Sequence, residues 1–138
     1  MSFKFEKLEV WQMAINYADL VYEVADKLPD HEKFNLKSQI TRAATSVALN
    51  IAEGSTGQTD PEQNRFLGLA LRSLIETVAC QRIIKRRKYL LNDPELDKMD
   101  AEAELLAIKI QSFRKSLGSS KYAAREDVPL YELDVMEK

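Results

Sequence analysis

Cysteine, histidine, glycine and proline are all scarce in this chain, and each scarcity removes a class of protein. The single cysteine, Cys80, cannot close an internal disulfide, and the single histidine, His31, cannot build a metal cluster of the usual Cys/His kind. Both absences point to a reducing cytoplasm and to a chain without a metal site. Four glycines and four prolines, beside 45% hydrophobic and 30% charged residues, exclude a disordered, collagen-like or loop-dominated chain. No stretch approaches the roughly twenty apolar residues that span a bilayer. The opening MSFKFEKLEV has no long apolar run behind basic residues, so the expectation is a soluble, unexported protein. At 138 residues the chain is long enough for one domain with its own core.

What is present is helical periodicity. Leu8, Trp11, Ile15, Ala18, Tyr22 and Ala25 recur at spacings of three and four, with Ala14, Val21 and Leu28 widening the stripe, and Pro29 ends this first helix. After the connector PDHEK a second helix is expected from near Phe34, through Leu36, Ile40, Ala43, Ala44, Val47 and Ile51, to Gly54 in a left-handed cap. Asp60 and Pro61 read as the N-cap and first position of a third helix, which meets no breaker until Asn92. Asn92, Asp93 and Pro94 restart the chain. Leu96, Met99, Ala103, Leu106, Ile110, Phe113 and Leu117 then form an unbroken repeat up to Gly118. Four amphipathic helices on short connections predict an all-α, antiparallel up-down-up-down four-helix bundle over residues 1–118. Residues 119–138 form a C-terminal tail whose Tyr122, Leu130, Tyr131 and Leu133 either dock on a groove or a neighbour, or fray.

Chemistry has few footholds. A di-iron bundle needs Glu-x-x-His pairs, and His31 lies in a connector. Gly54 and Gly57 in GSTGQTD lack the spacing and the lysine of a phosphate-cradling loop. Cys80, beside Val78 and Ala79, reads as a buried small hydrophobe rather than a nucleophile. Nothing assembles a nucleophile, a base and an oxyanion site, so neither an enzyme nor a cofactor is expected.

Charge is unevenly spread. The formal net charge is -2, yet residues 61–91 carry seven basic and two acidic side chains. Arg82, Lys85, Arg86, Arg87 and Lys88 concentrate at the end of the third helix, with Arg65 and Arg72 upstream. Such density suits phosphate contacts, although cations also stabilise a helix C-terminus without any ligand. Tyr89 beside them either stacks on an unpaired base or belongs to the core. The second helix is the converse case: from Ser38 to Ala52 its only charge is Arg42. Gln39, Arg42, Ser46, Asn50 and Glu53 share one side of it, which reads as an interface between copies or, more plainly, as a mildly polar solvated face.

The residues FEKLEVWQMAINYADLVYEV and LPDHEKFNLKSQITRAATSVALNIAEGSTGQTDPEQNRFLGLALRSLIE resemble the bacterial four-helix bundle family named after proteins encoded in intervening sequences of 23S ribosomal RNA genes. The most specific stretch is Gln39, Arg42, Ala43, Ser46, Asn50 to Gly54, followed by Phe66, Leu67, Ala70, Ser73, Leu74 and Glu76. Arg72 stands where the family often has glycine. The resemblance implies a ring-like homopentamer and kinship with the accessory protein of diversity-generating retroelements, which binds nucleic acid and a reverse transcriptase, and it implies no established catalytic activity. The sequence reading is therefore a non-enzymatic homo-oligomer that binds RNA or DNA through its basic helix end. A protein-binding scaffold without nucleic-acid contact is the alternative.

Overall fold

Periodicity becomes four helices in the structure, a computed structural model that describes residues 2–56 and 59–118. They are α1 (Glu9–Ala25), α2 (Leu36–Gly54), α3 (Asp60–Arg86) and α4 (Pro94–Ser116), with one-turn 3-10 helices at Lys4–Lys7 and Asp30–Glu32. Each of α1 and α3 packs beside both α2 and α4, which closes an up-down-up-down ring. The tail expected at residues 119–138 lies outside the described residues.

Inside the ring, Val10, Ala14, Tyr17, Val21 and Val24 of α1 meet Ile40, Val47 and Ile51 of α2, Leu67, Leu71 and Leu74 of α3 and Met99, Leu106 and Ile110 of α4. One polar tie crosses it: the Tyr17 hydroxyl lies 2.7 Å from Thr77 Oγ1, whose own proton goes to the Leu74 carbonyl at 2.6 Å, so Tyr17 donates. Burial pushes the Tyr17 phenol up to about 12. At one end of the core the fully buried Arg114 donates from Nε to Asn64 Oδ1 at 2.5 Å. Its guanidinium lies against Gly68, where a Cβ would stand 3.0 Å from Nη1, so the missing side chain leaves room for the cation.

Several sequence expectations are corrected. The buried arc of α1 is centred on Ala14, Tyr17, Val21 and Val24, whereas Trp11, Ile15 and Ala18 are half-buried at its flank and Tyr22 is exposed. Helix α2 starts at Leu36, and Phe34 is 88% exposed. Gly54 is not in a left-handed cap but is the last helical residue, buried where a Cβ would stand 2.8 Å from Phe66 Cβ. Its role is close approach of α2 to α3. The N-cap of α3 is Thr59, whose Oγ1 accepts from the Glu62 amide at 3.3 Å, so Asp60 is already helical.

The far end of α3 differs most. It stops at Arg86, six residues before Asn92. Lys88 takes the left-handed conformation with φ 63°, the Lys88 amide bonds Lys85 O at 3.0 Å and the Tyr89 amide bonds Ile84 O at 3.3 Å. This is a Schellman cap with lysine where glycine is usual. The restart is as expected, with Asp93 Oδ1 accepting from the amides of Glu95 and Leu96 at 2.8 and 3.3 Å, and Asn92 ahead of it is left-handed at φ 59°.

Candidate nucleic-acid interface

Antiparallel topology brings four segments to one end of the bundle: the C-termini of α1 and α3, and the N-termini of α2 and α4. The last turn of α3 favours cations and the first turn of α4 favours anions, because of the partial charges on their unsatisfied backbone groups. Ion pairs between the end of α3 and the start of α4 neutralise part of the basic run. Arg82 Nη1 reaches Asp100 Oδ1 at 3.0 Å and also bonds Gln81 Oε1, while Lys85 Nζ lies 3.7 Å from Asp97 Oδ1. Lys27 is held between Asp93 at 2.9 Å and Glu95 at 2.5 Å, and Lys37 lies 3.3 Å from Asp26.

Arg86, Arg87 and Lys88 remain. All three are exposed, and among the described residues none of them makes an ion pair. Lys33, on the α1–α2 connector at this same end, also has no carboxylate partner there; its Nζ lies 5.4 Å from the Phe34 ring centroid. The five-residue patch read from the sequence thus separates into two paired members, Arg82 and Lys85, and three unpaired ones. Arg65 is not part of it. Twenty-one residues upstream, roughly 30 Å along the helix, it pairs with Glu62 at 3.1 Å and covers the Phe66 ring at 4.7 Å.

Tyr89 is held back from a base. Its hydroxyl donates to Glu32 Oε2 at 2.8 Å, its ring is half-buried against the core, and His31 Nε2 is 3.1 Å from the Tyr89 hydroxyl oxygen. Glu32 Oε1 accepts from Asn35 Nδ2 at 3.1 Å and from the Leu36 amide at 3.4 Å. One carboxylate therefore caps α2 and clamps the α1–α2 connector to the α3–α4 turn. The Tyr89 hydroxyl, ahead of the Leu36 amide and the Asn35 amide, holds the Glu32 carboxyl below its ordinary value near 4.5, and the same bond pushes the Tyr89 phenol up. A lowered carboxylate adds stability that is complete above about pH 4.5 and is lost as the pH falls through its lower folded value. Glu32→Gln should lower the melting temperature at pH 7 and flatten its fall towards pH 3, so that the two proteins converge in acid; parallel melting curves would contradict the clamp.

The expected oligomer residues separate as well. Asn50 Nδ2 donates to Ser46 O at 2.9 Å and to Ser46 Oγ at 3.0 Å, and Ser73 Oγ donates to Ser46 Oγ at 2.9 Å, so this pair ties α2 to α3 within one chain. Gln39 and Arg42 are exposed and bonded to each other at 3.3 Å, and Glu53 is exposed. Glu53 borders an open groove of about 610 Å³ whose apolar wall is Phe3, Phe5, Leu49 and Ala52, with Leu49 61% exposed. Sequence reasoning passed over Leu49 because it falls off the core stripe; an apolar residue on the outer side of a nearly uncharged helix was the available signal. Cys80 is buried, and burial raises its thiol. Among the described residues no cluster of three or more His, Cys, Asp or Glu is arranged to hold a metal, and no helix is long and apolar enough to cross a membrane.

The fold and this end together define an all-helical bundle whose α3 terminus carries residual positive charge. The sequence profile of the family described as 23S rRNA-intervening sequence protein matches residues 6–112, and the chain belongs to that family. No curated protein matches the chain.

Proposed function

We propose that the protein is a non-enzymatic, self-associating bundle that binds the phosphate backbone of RNA or DNA through Arg86, Arg87 and Lys88. The observation that carries this reading is the set of three exposed cations that α4 does not neutralise. Lys88 adds weight to it. A side chain in the left-handed region costs roughly 1 kcal/mol that glycine would avoid, and such strain collects at functional positions. Lys88→Gly should therefore raise stability by up to about 1 kcal/mol and lower affinity for a 20-nucleotide RNA roughly fivefold at 0.1 M salt, one phosphate contact being worth about 0.7 of a decade there. A stability gain with unchanged affinity would remove Lys88 from the site.

Self-association is supported by the apolar surface that the ring does not cover. Trp11, Ile15 and Ala18 lie half-buried at the flank of α1, next to exposed Tyr22, and Leu49 projects from α2. The resemblance implies a ring of five copies, in which each patch recurs and several weak contacts to one strand add through effective concentration. Ala44 and Ala48 are buried in the chain's own core, so a charge there tests the fold. Leu49→Glu tests assembly: the wild-type chain should sediment as an oligomer and the variant as a smaller species with the same helicity. A wild-type monomer at all concentrations would end the oligomer reading. A lone reduced Cys80 suits the cytoplasm as the working compartment.

A further inference from the structure

We propose that Phe34 is a base-stacking platform, so that this end of the bundle takes single-stranded nucleic acid in preference to duplex. The proposal rests on the backbone-binding reading above. Phe34 is 88% exposed, the most exposed large hydrophobic side chain among the described residues. The chain is tied on both sides of it. Glu32, two residues before it, is bound by Tyr89, and Asn35 and Leu36, directly after it, are bound by Glu32. Tyr89 is the residue that follows Lys88. The clamp therefore ties the connector that carries Phe34 to the α3–α4 turn that follows the unpaired cations of the α3 terminus.

Chemistry selects the occupant. A surface that docks an apolar protein segment needs contiguous apolar area, and Phe34 stands between Lys33 and Asn35 with exposed Asp30 and His31 nearby in the connector. An outward aromatic beside one cation, at the bundle end that carries three more, is an arrangement that suits unpaired bases, whose faces stack on the ring while phosphates meet ammonium and guanidinium groups. In duplex the base faces are covered, and only the phosphates are offered. Lys33 lies 5.4 Å from the Phe34 centroid. An exposed cation–π contact is worth about 2- to 5-fold in an equilibrium, against about 5- to 150-fold for a stacked base. A base therefore displaces Lys33 from the ring and leaves it beside the incoming phosphate.

The test uses the full chain, a fluorescein-labelled 20-nucleotide oligouridine and a hairpin duplex of matched charge. Wild type should bind the single strand more tightly than the duplex. Phe34→Ala should lose about 5- to 150-fold on the single strand, with the duplex affinity and the salt slope unchanged because no phosphate contact is removed. Phe34→Trp should restore binding and Phe34→Leu should not. If the Ala or Leu variant binds the single strand like wild type while Arg86→Glu/Arg87→Glu is defective, the platform is overturned and the backbone reading stands. If wild type binds neither probe, both fall. If Phe34→Ala changes the sedimentation coefficient, the ring is a contact between copies and the platform is overturned.

Discussion

Leu106→Ala should cost about 2–5 kcal/mol and lower the melting temperature by roughly 10 °C or more. Leu106 is 1% exposed on the inner seam of α4, between Ala103 and Ile110, so the truncation loses its transfer free energy and leaves a cavity that three packed helices cannot close. Total stabilities of 5–15 kcal/mol are typical, so the loss is a large share. Its neighbour supplies the control. Leu105 is 50% exposed, and Leu105→Ala should stay within about 0.5 kcal/mol. Phe113, expected from the sequence to share the seam, is only partly buried, and Phe113→Ala should fall between the two. Equal effects at 105 and 106 would mean that α4 is rotated about its axis.

Reversing Arg86 and Arg87 to Glu should lower the affinity for a single strand about 25-fold or more at 0.1 M salt and flatten the log–log salt slope by about 1.4. Each phosphate contact on a single strand contributes a slope of about -0.7, so two contacts carry about 1.4 decades at 0.1 M before the repulsion of the new carboxylates is added. The fold should tolerate the change, because both residues are exposed and neither makes an ion pair among the described residues. Placing anions at a helix C-terminus costs up to about 1 kcal/mol each, and the Gln pair avoids that cost while still removing the contacts. A melting curve beside each titration separates the two effects. Arg82→Glu makes the contrast: its guanidinium is already held by Asp100, so its loss should change the slope less than the loss of Arg86 or Arg87.

The helices were legible because their signals are local. Asp93 and Pro94 open α4 in one dipeptide, and Leu96, Met99, Ala103, Leu106 and Ile110 keep a single register, after which Arg114 rather than Phe113 takes the buried position. The orientation of α1 was less legible, since Trp11, Ile15 and Ala18 are as apolar as Ala14, Tyr17 and Val21, and periodicity cannot find the centre of so wide an arc. Nor does lysine announce the left-handed cap at Lys88, because propensity assigns that place to glycine or asparagine. The candidate interface was half visible. The density of cations is written in residues 82–88, but which of them stay free depends on the register of α4 against α3, which brings Asp97 to Lys85 and Asp100 to Arg82. The sequence places the start of α2 only near Phe34; the Glu32 carboxylate, bound by Tyr89 fifty-seven residues away, caps the helix at the Leu36 amide and leaves Phe34 outside it.

The most direct test is the affinity of the wild-type chain for a 20-nucleotide RNA measured from 50 mM to 300 mM salt. Phosphate binding predicts an affinity that falls linearly on log–log axes, with a slope of about -2 for three contacts at one patch and steeper in proportion when patches of an oligomer share the strand. No binding at 50 mM, or an affinity independent of salt, would contradict the account and leave the exposed cations as a solvated helix end.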